Sequence, residues 1–136
     1  MNEKQITEII LKHYPDVQAI YLFGTYGTED EWPGSDVDIA LLFPPAEAKE
    51  IKNLFMGECQ RELESFLKKD VDLINVRTVS TVFQKEIIAN GRLLYCADSY
   101  AVDEFEMLVL SYYQKLNEER SEILQSFYKT RRAYAV

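Results

Sequence analysis

Ile20-Tyr21-Leu22-Phe23-Gly24-Thr25-Tyr26-Gly27, followed after a polar loop by Ser35-Asp36-Val37-Asp38-Ile39-Ala40-Leu41-Leu42-Phe43, is the stretch from which the fold is read. Ile20 to Phe23 and Ile39 to Phe43 are short apolar runs of strand character. Asp36 and Asp38 stand at the start of the second run with one apolar residue between them. Side chains two apart on a strand share a face. Carboxylates held that close repel each other and raise each other's pKa unless a cation lies between them, and hard divalent ions such as Mg²⁺ take oxygen ligands. A metal site resolves the conflict most simply. The alternative is that one Asp caps a turn while the other is solvated at the strand edge.

The residues just upstream favour the metal. Gly24-Thr25 directly follows the first apolar run. A glycine at a strand end lets the backbone turn sharply and bring its N–H groups against an anion, and the neighbouring hydroxyl adds a donor, so phosphate oxygens suit this turn. Gly27 and Gly34-Ser35 indicate that the segment between loops back. The second strand then runs beside the first, with both functional ends at one rim. Glu29, Asp30 and Glu31 are expected to be solvated loop charges.

The order strand, Gly-Thr, ten residues, Asp-x-Asp, strand resembles the signature of the DNA polymerase beta-like nucleotidyltransferase superfamily, and the chain looks like one of its minimal members. The resemblance implies an α+β fold, a small nucleotidyltransferase core with a mixed β-sheet packed with helices. It also implies a third carboxylate on a later strand, a place that Asp72 takes in Val71-Asp72-Leu73-Ile74-Asn75-Val76. Asp36, Asp38 and Asp72 are thus the expected catalytic and metal-holding residues, with Gly24 and Thr25 on the nucleotide phosphates. The superfamily usually has Ser where Thr25 stands. Threonine keeps the hydroxyl but adds a methyl group at a crowded turn and stiffens the rotamer.

With 136 residues and 47% hydrophobic content, the chain is expected to form one structural domain without the additional domains with which larger nucleotidyltransferases grip polymers. Fifteen Lys and Arg against 23 Asp and Glu leave a net charge of −8. That sign disfavours direct nucleic-acid binding, whose affinity comes mainly from cations on phosphates. Cys59 and Cys96 lack metal-ligand spacing, the N-terminus has no signal-peptide pattern, and no apolar run reaches membrane-span length. The expected setting is the cytoplasm, with reduced thiols and no membrane association.

Along the chain, Ile6, Ile9 and Ile10 predict an amphipathic helix ending near His13-Tyr14-Pro15, which makes His13, the single histidine, a helix-end residue. After Pro44-Pro45, helical spacing runs through Ala48, Ile51, Leu54, Phe55, Cys59, Leu63, Phe66 and Leu67. Phe83 to Asn90 reads as a short helix stopped by Gly91, and Arg92 to Cys96 as a return strand. From Asp103, the apolar residues Phe105, Leu108, Val109, Tyr112, Leu116, Ile123, Leu124 and Phe127 predict one long helix, or two with a break near Asn117. Residues 1–97 are expected to complete the nucleotidyltransferase core. Residues 98–136 then form a C-terminal helical extension whose apolar stripe needs a partner to cover it. Lys129, Arg131 and Arg132 beside Tyr128 and Tyr134 make a basic end.

A short core followed by a helix containing Phe105-Glu106 and Tyr112-Tyr113-Gln114-Lys115-Leu116-Asn117-Glu118-Glu119-Arg120 resembles the MntA antitoxins that are paired with HepT toxins. The resemblance spans nearly the whole chain. It implies a hetero-oligomer with a HepT-like HEPN ribonuclease toxin. It further implies transfer of AMP from ATP to a toxin tyrosine, with two Mg²⁺ ions held by the acids. Two alternatives remain, of which only the first uses the same acids. One is a nucleotidyltransferase acting on a small molecule such as an aminoglycoside, for which the chain has little room. The other is an antitoxin that neutralises by steric contact alone, a role that gives three mutually repelling carboxylates no purpose.

Overall fold

The computed structural model describes residues 3–51, 54 and 57–134. Its elements are α1 (Glu3–His13), β1 (Ala19–Phe23), β2 (Val37–Leu42), α2 (Pro45–Ala48), α3 (Glu58–Leu67), β3 (Val71–Asn75), α4 (Thr81–Asn90), β4 (Arg92–Cys96) and α5 (Ser99–Tyr134). The strands form one mixed sheet in the order β3-β2-β1-β4. β1 is antiparallel to both β2 and β4, whereas β2 and β3 are parallel. A parallel pair needs a crossover of a dozen or more residues, and α2 and α3 lie within it.

Near-continuous apolar strands belong in a sheet covered on both faces. On one face Ile20, Leu22, Ile39, Leu41, Val71 and Leu73 pack with Ile6 and Ile10 of α1 and Leu63 of α3. On the other, Ala19, Tyr21, Ala40 and Leu42 meet Ile87 of α4 and Val102, Phe105 and Val109 of α5. The Tyr21 hydroxyl, beneath this second layer, donates to Glu106 Oε1 at 2.9 Å and so fastens α5 to the sheet. His13 is the last residue of α1, and its Nε2 lies 3.0 Å from Glu62 Oε1 of α3, as suits a helix-end residue. Cys59 is buried and Cys96 exposed, and both are free. Burial, together with the nearby Glu62, pushes the Cys59 thiol up to about 12, so it packs as a small apolar group.

One expectation changes and one open alternative is decided. The helical spacing from Ala48 to Leu67 is split: α2 ends at Ala48, and α3 begins only after Gly57, an extended N-cap residue. Apolar periodicity survives across the gap because Leu54 is still buried, but glycine disfavours helix continuation. Phe55 falls outside the described residues. At the other end, α5 is one helix of 36 residues with no break at Asn117. Its apolar residues do not share one fate. Phe105 and Val109 are buried, whereas Leu108, Tyr112, Ile123, Leu124 and Phe127 are exposed. Among the described residues no helix is long and apolar enough to cross a membrane.

Candidate active site

The turn after β1 and the starts of β2 and β3 meet at one rim of the sheet. Asp36 is exposed just ahead of β2. Asp38 is half-buried within it, and Asp72 is exposed on β3 as the direct register partner of Asp38. Asp38 alternates with the buried Val37 and Ile39 and so projects toward the side of the sheet that holds Ala40 and Leu42, the side covered by α4 and α5. Parallel pairing therefore fixes two carboxylates side by side on a stiff support. Burial, then the negative charges of Asp72 and Asp36 and a hydrogen bond with Asp72, push the Asp38 carboxyl above the usual carboxylate range.

Phe23, the last residue of β1, is paired in register with Asp38, which sets Gly24 against the same carboxylate. Gly24 takes φ +78°, in the left-handed region, and a Cβ there would collide with Asp38 Oδ2. Only glycine meets both conditions without strain. Thr25 follows, half-buried, and its carbonyl accepts the Thr28 N–H at 3.0 Å. Its hydroxyl makes no hydrogen bond among the described residues. All five residues expected at the site from the sequence are thus gathered at one rim.

The donor set suits a hard divalent cation. The acids offer only oxygen, and Asp38 carries a charge penalty that a cation would relieve. Among the described residues no three of His, Cys, Asp and Glu converge into a ready metal cage. Mg²⁺ is commonly held through one or two carboxylates plus substrate phosphates and keeps several waters.

The loop between Gly24 and Asp36 is more ordered by side chains than its composition suggests. Glu31 is not simply a solvated charge: its Oε2 accepts the Gly27 N–H at 3.1 Å, and its Oε1 lies 3.4 Å from Lys69 Nζ. Sequence reading missed this because Lys69 lies 38 residues away along the chain and the Gly27 contact carries no recognisable spacing signal. Arg77 lies elsewhere, beyond the far end of β3, where it donates to the Phe43 carbonyl and to Gln18 and covers the Phe105 ring. Its role there is to join the sheet to α5.

A four-stranded mixed sheet that brings an Asp-x-Asp pair, a neighbouring-strand Asp and a left-handed glycine turn to one rim defines a core of nucleotidyltransferase type. In agreement, the chain belongs to the family described as Polymerase beta, Nucleotidyltransferase, which it matches over residues 4–100. It is 34% identical over 125 residues to the protein adenylyltransferase MntA of Shewanella oneidensis, covering 91% of this chain and 86% of that protein. Among solved structures, a toxin-antitoxin with AMP-PNP superposes with a TM-score of 0.77 at 32% identity, covering 93% of this chain and 98% of the matched one. A complex of a tri-AMPylated S. oneidensis HEPN toxin with MNT antitoxin matches with a TM-score of 0.72 at 32% identity, over 92% of this chain and 94% of the other.

Proposed function

We propose that this chain is an antitoxin that neutralises a HepT-like HEPN ribonuclease toxin by transferring AMP from ATP to a toxin tyrosine, in the cytoplasm. The observation that carries the chemistry is the Asp38–Asp72 register pair beside the Gly24 turn. The likeness to MntA along 91% of the chain supports the acceptor and the partner. In this reading Gly24 and Thr25 hold the β and γ phosphates. Asp36, Asp38 and Asp72 would hold two Mg²⁺ ions, which would supply positive charge for the α-phosphate and for the attacking hydroxyl. Asp72, the more exposed of the register pair, would complete one metal site and help take the proton of the tyrosine hydroxyl, whose free pKa of about 10 makes the neutral group a poor nucleophile. AMP on the toxin then adds bulk and negative charge where RNA would approach.

Incubation of the purified chain with its toxin and Mg-ATP should yield AMP-sized mass increments on the toxin, and EDTA should abolish them. Increments that persist in EDTA, or their absence with a toxin that is nonetheless bound, would refute this assignment. Transfer of AMP to an aminoglycoside but not to the toxin would favour the small-molecule alternative.

We assign residues 1–97 to the reacting core and residues 98–136 to partner binding. Removing everything from Asp103 onward would strip Phe105 and Val109 from the core, so exposed residues farther along α5 make the better test. Ile123 and Phe127 are 67% and 57% exposed. Their joint replacement by Asp is expected to weaken the toxin complex about tenfold or more. AMP-PNP affinity and melting temperature should stay as in the wild type. Calorimetry with unchanged toxin affinity would remove α5 from the interface.

A further inference from the structure

The side of the Gly24–Asp36 loop that faces away from the acids is gripped by two cations. Arg92 is the register partner of Leu22, whose side chain belongs to the α1 and α3 face. It donates to the Tyr26 carbonyl at 3.3 Å and pairs with Glu3 of α1 at 2.9 Å. Lys69, two residues ahead of β3, has a side chain only 18% exposed. Its Nζ lies 3.3 Å from the Trp32 carbonyl, 3.5 Å from the Ser35 carbonyl and 3.4 Å from Glu31 Oε1. Glu31 passes the restraint on by accepting the Gly27 N–H. Both cations line one cavity of about 430 Å³ with Tyr26, Gly27 and Leu67.

We infer that Lys69 is a positioning residue for nucleotide transfer, pinning the loop so that the Thr25 turn and Asp36 keep their places relative to Asp72. The inference rests on the functional reading above. Lys69 touches no substrate in this scheme. It lies three residues before Asp72 in the chain, and its contact at the Ser35 carbonyl immediately precedes Asp36. One ammonium thereby ties together the two chain segments that must present carboxylates side by side. Two backbone carbonyls and one carboxylate use the three ammonium donors. A methionine of similar length keeps the packing and loses every one of these contacts, whereas arginine keeps a charged donor.

The test compares Lys69→Met, Lys69→Arg and Glu31→Gln by hydrogen exchange across residues 26–35, AMP-PNP affinity and AMP-transfer kinetics. For Lys69→Met, exchange in the loop is expected to quicken about tenfold or more. The kcat should fall about tenfold to a hundredfold, as suits slight misplacement of reacting groups. The KM for the toxin should hold, because docking is elsewhere. Lys69→Arg should recover most of the kcat, and Glu31→Gln should loosen the loop in the same direction. Unchanged loop exchange, or undiminished kcat in a Lys69→Met protein with a loosened loop, overturns the inference. Should Lys69→Met fail to fold, Glu31→Gln decides by the same criteria. Wild-type protein that transfers no AMP strikes at the functional reading instead, and loop exchange with AMP-PNP affinity then judges Lys69 alone.

Discussion

Asp38→Asn is expected to cut AMP transfer on the order of 10³-fold or more while raising the melting temperature of the protein in EDTA. The activity loss follows from position: Asp38 lies between Asp36 and Asp72, and both add to its burden of negative charge. An amide cannot neutralise a bound cation. The stability gain follows from burial of the carboxyl first and then from these neighbouring charges. A carboxyl whose folded pKa is raised costs stability at neutral pH, where the folded state must hold it charged. That cost disappears as pH falls below its unfolded pKa. Asparagine removes it at every pH. The difference in melting temperature between variant and wild type should therefore be largest near neutrality and shrink through the carboxylate range. Rapid transfer by the purified variant would remove Asp38 from the site, and a lower melting temperature in EDTA would contradict the proposed repulsion.

Gly24→Ala is expected to lower transfer by about 10²-fold and to destabilise the chain by roughly 1–2 kcal/mol from backbone strain alone. Two independent obstacles meet at this residue. Its φ of +78° is one that alanine adopts at a cost, and the added methyl would be driven into Asp38 Oδ2. Relief requires either the turn or the carboxylate to move, and each is needed in place. Calorimetry with AMP-PNP and a thermal melt separate the effects. Undiminished nucleotide affinity would show that the turn does not hold phosphate.

Local patterns carried most of the architecture. The strand at Arg92–Cys96 and the helix that stops at Asn90 before Gly91 follow from periodicity and punctuation. Asp36 and Asp38 were legible from strand spacing, whereas Asp72 was reached through the family resemblance, because its register beside Asp38 is set by strand pairing and not by any local pattern. What stayed hidden depends on partners distant in sequence. The contact between Glu31 and Lys69 joins residues whose local surroundings give no hint of each other. The division of α5 into covered and bare stretches was equally hidden, because Leu108 and Val109 are alike as letters and differ only in which way the sheet lies. The break before α3 was signalled by Gly57 but masked by apolar spacing that runs through it.

The helix α5 has 36 residues and so is about 54 Å long, whereas β1, at five residues, is only about 17 Å. Its root is bolted to the sheet through Tyr21 and Glu106. Such a rod works as a ruler. Under the proposed function, a target seated along its far part would meet the reacting edge at a separation that the rod sets, and inserting or deleting a turn of helix is expected to shift which hydroxyl is modified.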